Sequence, residues 1–462
     1  MLYDIKPRVT PPLDHQFRPG ALFTRAFLAD AEESGKAVPL VIGTEQADGT
    51  RYLFSTKLLP ESHPKAEANL RYVERAVRFL LWQRGGYKVY LGGPRSIGEF
   101  IQQAYTPKGL RAFDYEFWPQ VYEKPFEVEI TDPDKAPAPK EGAIPLGRHL
   151  EGCRIGFDLG ASDRKFSAVV DGKAIYSAEV QWDPRNQKDP TYHYHEIMSG
   201  LHLAAARMPR VDAIGGSAAG IVINNRARIA SLFRAVPKEI FDERVGGLYP
   251  RIAREWGVPF EVINDGEVTA LAGSMSLGVN AILGIALGSS EAGGYVNRDG
   301  NVTNWLDELA FAPIDYAPGA PADEWSGDLG CGAQYLSQQA VFRLAPAAGI
   351  TIDQSLSAAD QLEFVHDLHS KGDARARLIF ETIGVYLGYA VAHYRSYYDL
   401  SHVLILGRVT SGEAGNVIMK CCREVLDTEF PEMAKSVSVN LPDEKARRVG
   451  QSVAAASLPA IS

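Results

Sequence analysis

Ile155-Gly-Phe-Asp158-Leu-Gly160-Ala-Ser162-Asp-Arg-Lys165-Phe-Ser-Ala-Val-Val-Asp171-Gly172 is the stretch whose reading governs the rest of the chain. An apolar strand enters a turn carrying a carboxylate, a glycine, a hydroxyl and a lysine, and a second strand leaves it. Such a hairpin suits a nucleotide phosphate. Gly160 and the small residues after it let the backbone approach an anion, Ser162 and Lys165 can hydrogen-bond it, and Asp158 can hold a hydrated Mg²⁺ against it. The same residues also make an ordinary polar turn, since Asp and Gly are common in turns for conformational reasons alone.

A second element follows in Pro259-Phe-Glu-Val-Ile263-Asn264-Asp265-Gly266-Glu267, where an apolar strand delivers Asn-Asp-Gly to its end and a helix of Val268, Leu271 and Ala272 begins. Ligands of open α/β folds gather where strands end and helices start. Asp265 is well placed there to take a proton from a bound hydroxyl; the plainer reading makes it only the N-cap of the helix. A third element, Ala281-Ile-Leu-Gly284-Ile-Ala-Leu-Gly288-Ser289-Ser290-Glu291-Ala292-Gly293-Gly294-Tyr-Val, reads as strand, small-residue loop and strand, like the first hairpin. Two such loops can hold a polyphosphate from both sides.

Taken with Gly215-Gly-Ser-Ala-Ala-Gly220 and Leu404-Ile-Leu-Gly407-Arg408, these motifs occur in an order that resembles the ROK group of sugar kinases and sugar-responsive repressors, within the actin-like, hexokinase-like ATPase superfamily. The likeness covers residues 150 to 462. It implies an α/β, two-lobed actin-like (ribonuclease H-like) fold. It also implies that Asp158, Gly160, Ser162 and Lys165 form one phosphate loop and Gly288, Ser289, Ser290, Gly293 and Gly294 a second, with Gly407 in the adenosine motif. Asp265 matches the general base, Asn264 and Glu308 match sugar contacts, and Asn225 and Arg226 fall where the family meets its sugar. The implied cofactors are ATP and Mg²⁺, the ion held through Asp158, phosphate and water. The implied partners are a small-molecule carbohydrate and a second copy of the chain.

Departures from the family pattern are equally specific. Phe311 stands where the family has a histidine that contacts sugar and binds zinc, and Ala333 where it has a further sugar-binding Glu. Of the cysteine cluster only Cys331 remains, and one thiolate cannot make a four-ligand zinc site, so no zinc is expected. A pocket altered in this way should prefer something other than unmodified glucose. Glu291 falls in the second phosphate loop, where a carboxylate about 5 Å from a phosphate would be repelled by about 3 kcal/mol at an effective dielectric near 20. It must therefore point away, be bridged by a cation, or mark a loop that does not bind a triphosphate. Arg408 replaces a glycine of the adenosine motif.

The chain has 462 residues, long enough for two or three lobes. Its net charge of −9 argues against a nucleic-acid partner, which needs a basic footprint. Neither a membrane-spanning run nor a signal segment is evident, which favours the cytoplasm. Residues 1–150 read as an N-terminal α/β extension: a hairpin turning at Asp48-Gly49, a helix over 66–83 and a strand from Tyr87. The extension ends in the Pro-rich linker Thr131 to Gly142. Residues 151–274 then form lobe I and 275–462 lobe II, with a C-terminal helix returning to lobe I. Strands dominate the opening and no helix-turn-helix run is found, so a repressor is not expected.

Tyr192-His193-Tyr-His195 reads as a strand with both imidazoles on one face but no third metal ligand nearby. Residues Trp182 to Pro190 read as a loop able to cover a substrate, or as a plain solvated connection. Arg226 and Arg228 suit a phosphate or carboxylate on the substrate, or a surface ion pair. The expected function is therefore an ATP-dependent carbohydrate kinase with Asp265 as general base. The alternatives are a sugar or sugar-phosphate sensor without phosphotransfer, or a carbohydrate-active enzyme using Asp265 for other chemistry.

Overall fold

The computed structural model describes residues 3, 5–140, 143–144, 146–160, 163–441 and 444–461. Ser162, one of the expected phosphate-binding residues, lies outside them. The chain forms two compact units. Unit 1 comprises Met1–Gly142, Ile285–Gly293 and Trp305–Leu441, and unit 2 comprises Ala143–Gly284, Gly294–Asn304 and Pro442–Ser462. No helix among the described residues is long and apolar enough to cross a membrane.

The strands are β1 (Val38–Glu45), β2 (Arg51–Leu58), β3 (Lys88–Gly92), β4 (Glu127–Thr131), β5 (Ala143–Ile144), β6 (Cys153–Leu159), β7 (Asp163–Val170), β8 (Lys173–Gln181) and β9 (Ala213–Ala218). After them come β10 (Ile221–Ile223), β11 (Arg226–Ile229), β12 (Phe260–Asn264), β13 (Ile282–Leu287), β14 (Glu291–Val296), β15 (Val302–Thr303), β16 (His402–Leu406) and β17 (Ser438–Asn440).

Unit 2 is built on a sheet in the order β12-β9-β6-β7-β8. β6, β9 and β12 are parallel, whereas β7 and β8 are antiparallel additions. The central strands β6 and β9 are buried along nearly their whole length, while β8, at the edge, alternates toward solvent; a strand covered on both faces must be apolar throughout and an edge strand need not be. Phe157, Phe166, Ile197, Leu201, Ile214, Leu232, Phe233 and Val262 fill one side of this core. On the other side the C-terminal helix Glu444–Ala456 lies directly on the backbone. A Cβ at Gly156 would sit 2.1 Å from the Ser452 carbonyl oxygen, and one at Gly215 would sit 1.9 Å from that of Ala455.

In unit 1 the N-terminal residues form a sheet in the order β2-β1-β3-β4, with the expected hairpin turning at Asp48 and Gly49. The opening is more helical than its sequence suggests, because Gly20–Glu33 forms a helix that buries Phe23 and Phe27. A six-stranded sheet runs β17-β16-β13-β14-β15-β5, and the unit boundaries fall within β13 and β14.

Within unit 1 the N-terminal residues are tied to segment 307–331 by a buried ion cluster. Arg78 Nε donates to Asp114 at 3.0 Å, and its Nη1 donates to the Phe311 carbonyl at 2.9 Å and reaches Cys331 Sγ at 3.3 Å. The same guanidinium pairs with Asp328, which Arg75 also meets at 3.0 Å and Arg111 at 2.5 Å. Burial pushes the Cys331 thiol up to about 11, so it is an inert neutral thiol. Trp82 adds an aromatic contact, its ring 4.3 Å from Phe311 and 4.8 Å from both Phe117 and Trp118.

Candidate active site

The carboxyl ends of β6, β9 and β12 bring one group of expected residues together in unit 2. The parallel register sets Asp158 beside Ser217, and the antiparallel register sets Lys165 on its other side. The Ser217 hydroxyl donates to Asp158 Oδ1 at 2.6 Å, while Lys165 Nζ lies 3.6 Å from Asp158 Oδ2 and 3.3 Å from Asp163 Oδ1. Although burial opposes it, these two carboxylates hold the Lys165 pKa above its ordinary value, so the ammonium stays charged. Ser217 belongs to the Gly-Gly-Ser motif, yet nothing local in the sequence assigns its hydroxyl to Asp158.

Asp265 opens the helix Asp265–Leu277, but Asn264 rather than Asp265 caps it. Asn264 Oδ1 accepts from Gly266 N at 2.7 Å, and the Glu267 carboxylate reaches back to Asn264 N at 3.3 Å, completing a capping box. Asn264 Nδ2 donates to the Gly220 carbonyl at 2.9 Å, which locks the end of β12 to the turn after β9. Asp265 Oδ1 also accepts from Gly266 N, at 2.9 Å, and its side chain remains partly open to solvent. Burial first, and then the negative charge of Asp158, push its carboxyl up to about 6.

Asn225 has its amide engaged on β12, donating to Phe260 O at 3.1 Å and accepting from Val262 N at 2.6 Å. Its neighbour Arg226 is exposed. Gly160 makes the turn after β6, its N–H donating to Asp163 O at 2.9 Å and its carbonyl accepting from Trp182 Nε1 at 2.9 Å. Gly294, in the expected second phosphate loop, lies against the start of the Asp265 helix, where a Cβ would come within 2.1 Å of Gly266 O.

The histidines read as a strand pair lie instead on the helix Thr191–Ala205. Alternation of Tyr and His imitates a strand, but the positions after Pro190 continue with helical burial at His193, Ile197, Gly200 and Leu201. His193 is buried, its Nε2 at 3.0 Å from both Pro184 O and Leu232 O. Burial lowers its pKa, so it is a neutral donor to these carbonyls. Among the described residues no three His, Cys, Asp or Glu side chains are grouped to hold a metal.

In unit 1, Gly288, Ser289 and Ser290 form the tip between β13 and β14. Gly288 N donates to Ser290 O at 3.0 Å and its carbonyl accepts from Gln338 N at 2.9 Å. A Cβ at Gly288 would meet nothing nearer than Ser290 O at 3.7 Å, and both serines are exposed, so the outer face of this turn is open. Glu291 points away from that face into the interior, where Tyr394 Oη donates to its Oε1 at 2.8 Å. Burial pushes this carboxyl up to about 8, so near neutral pH it is largely uncharged and brings no anion to the loop. Gly293 packs against Leu309 and the Asp307 carbonyl. Gly407 has φ +105°, and a Cβ there would lie 2.3 Å from Leu287 O; Arg408 is exposed. Glu308 is half-buried, its N–H bonded to Trp82 O at 3.0 Å.

These groups fit the implied cofactors. A single carboxylate such as Asp158, completed by phosphate oxygens and water, is a common Mg²⁺ donor set. An open turn ending in small residues suits a phosphate.

No protein-family model matches the chain, and neither does any curated protein. Solved structures do match in fold. A ROK family glucokinase from Streptomyces griseus, in complex with glucose and AMPPNP, aligns over 65% of this chain and 98% of its own, with 21% identity and a TM-score of 0.51. A ROK hexokinase from Thermus thermophilus aligns over 66% and 97%, with 17% identity and a TM-score of 0.51. A ROK family transcriptional regulator, a homolog of the E. coli MLC protein, covers 66% of this chain and 78% of its own at 20% identity and the same TM-score. Motif order in the sequence and fold in the structure converge on one group: the chain has the two-lobed, actin-like α/β fold of the ROK family proteins.

Proposed function

We propose that the protein is an ATP- and Mg²⁺-dependent carbohydrate kinase of the ROK type, with Asp265 as general base. The observation that carries this reading is the state of Asp265: partly open at the carboxyl end of β12, and raised to about 6 by burial and by Asp158. Such a carboxylate is ionised at neutral pH yet basic enough to share a proton.

In the proposed reaction Asp265 would take the proton of a substrate hydroxyl as that oxygen bonds to the γ-phosphorus, while the bond from that phosphorus to the β,γ-bridging oxygen breaks and ADP leaves with its electron pair. Lys165 would offset developing negative charge, and Asp158 would hold the cation through water. Mg²⁺-ATP, when bound, supplies the phosphoryl group and a compensating divalent charge. The Asn264 cap fixes the approach of Asp265, and one N–H of its amide remains for a sugar hydroxyl. Arg226 is a further proposed sugar contact.

The test is ADP release with Mg²⁺-ATP across hexoses, amino sugars, sugar acids and polyols, with Asp265→Asn in parallel. Sugar-dependent ADP that disappears in the variant is the expected result. No ADP with any sugar, together with no thermal shift from ATP, would overturn the reading.

One observation favours a second reading, a sugar sensor without phosphotransfer. Phe311 packs against the Trp82 ring and Ala333 is fully buried, so neither supplies a polar sugar contact. The ROK regulator shares the fold at the same TM-score as the two kinases, so fold alone supports both readings. The sensor predicts sugar binding that ATP leaves unchanged.

A further inference from the structure

Arg185 and Arg234 are far apart in sequence but are brought together at the carboxyl edge of the unit 2 sheet. β8 ends at Gln181, which pairs with Asp163 at the start of β7, so the loop after β8 leaves from the same edge as Gly160, Gly220 and Asp265. Trp182 fastens this loop to the first hairpin through its 2.9 Å bond to the Gly160 carbonyl. His193 fastens it to the segment after β11: its Nε2 is shared between the carbonyls of Pro184 and Leu232, and its ring lies 4.2 Å from that of Phe233. Arg185 follows Pro184 and Arg234 follows Phe233.

Neither guanidinium has an acidic partner among the described residues. The acids of the loop are engaged elsewhere, Asp183 by the Asn186 amide at 2.9 Å and Asp189 by Arg244 at 3.2 Å and Thr191 N at 2.9 Å. Arg185 Nε is buried without any hydrogen-bond partner. Burial, and then the like charge of Arg234, depress the Arg185 pKa, and no acid counters them. A partly buried cation within electrostatic reach of a second cation is an unfavourable arrangement for the free protein, and an anion bound by both would relieve it.

We propose that Arg185 and Arg234 form an anion-binding site that selects a carbohydrate bearing a phosphate or carboxylate group. Two planar guanidinium forks match the oxygens of such groups, and a neutral hydroxyl gains little from them. This substrate class rests on the proposed role of Asp265 at the same sheet edge. There the anionic group would anchor the sugar while a different hydroxyl reacts.

The experiment is calorimetric titration of the full chain, without nucleotide, with glucose, glucose 6-phosphate, glucuronate and inorganic phosphate, and separately with Mg²⁺-ATP. Arg185→Ala, Arg234→Ala, their double variant and Arg185→Lys are compared with the parent. At least one anionic sugar should bind ~10-fold or more tightly than glucose, and the double variant should lose ~30-fold or more of that affinity, as expected for lost charge-assisted hydrogen bonds. Glucose 6-phosphate against glucuronate tells phosphate from carboxylate. The unliganded alanine variants should melt no lower than the parent, because a repulsion has been removed. Glucose binding as tightly as the anions, unchanged anion affinity in the double variant, no binding by any sugar probe, or loss of Mg²⁺-ATP affinity in place of sugar affinity would each overturn the proposal. Its failure is distinguishable from that of the kinase. Neutral sugars phosphorylated equally by parent and double variant remove the anion site alone; Arg-dependent binding without ADP release removes the kinase alone.

Discussion

Two carboxyls with raised pKa behave differently because one is partly open to solvent and the other is sealed. Asp265 must be ionised to accept a proton, so kcat/KM should rise with pH through about 6 and level off above it. Asp265→Asn should cost ~10²- to 10⁴-fold in turnover. Asp158→Asn removes one of the two causes of the raised pKa and should shift whatever acid limb remains to lower pH, as a pH–rate profile would read. Glu291 affects stability instead. Its folded pKa of about 8 lies above the ordinary 4.5, so the folded chain keeps a proton that the unfolded chain has already lost. Stability attributable to it is therefore full below about 4.5 and lost as pH rises through about 8. Glu291→Gln should flatten this decline and raise the urea midpoint at pH 8 by an amount equivalent to ~1 kcal/mol or more. The sequence alone marked Glu291 as a threat to the second phosphate loop. Its direction was not legible there, because it depends on Tyr394, which a distant helix supplies.

Elements differ in how much of their placement is local. The β6–β7 hairpin, the Asn264-Asp265 junction and the β13–β14 turn are readable because apolar runs, turn residues and a capping box are all written within a dozen positions. Tyr192 to His195 carry a two-residue alternation that imitates a strand, yet they lie in the helix Thr191–Ala205, because the longer helical burial that follows decides the local structure. Lys165, Asp158 and Ser217 come into line only through strand register, which no single segment encodes. Register also explains the two glycines beneath the C-terminal helix. Gly156→Ala or Gly215→Ala would drive a methyl into a carbonyl oxygen and should each cost ~2 kcal/mol or more, lowering the urea midpoint while leaving the slope unchanged.

At the scale of the whole molecule, the N-terminal third reads as an appendage in sequence because a Pro-rich stretch follows it. In the structure its residues share a compact unit with 305–441. Asp328, Cys331 and Phe311 have Arg78, Arg111 and Trp82 as their buried neighbours. Removing residues 1–142 would leave Asp328 without its three arginines, and an uncompensated buried charge costs ~3 to 5 kcal/mol. The truncated chain should therefore be recovered as aggregate, as size-exclusion chromatography of the soluble fraction would reveal. The helix Ala374–Tyr394 and the residues after it bind the same unit through phenols: Tyr386 to Asp14 at 2.5 Å, Tyr389 to Glu429 at 2.9 Å, Tyr394 to Glu291 at 2.8 Å and Tyr398 to Asp307 at 2.6 Å. Burial, followed by these carboxylates, holds all four well above the ordinary phenol range near 10. In an alkaline titration followed by phenolate ultraviolet absorbance, these four of the chain's 20 tyrosines, with other buried phenols such as Tyr249, Tyr335 and Tyr397, should stay dark while surface phenols ionise, then appear together as the chain unfolds. Their late, cooperative colour would give the chain an intrinsic optical reporter of its own integrity, with no label attached.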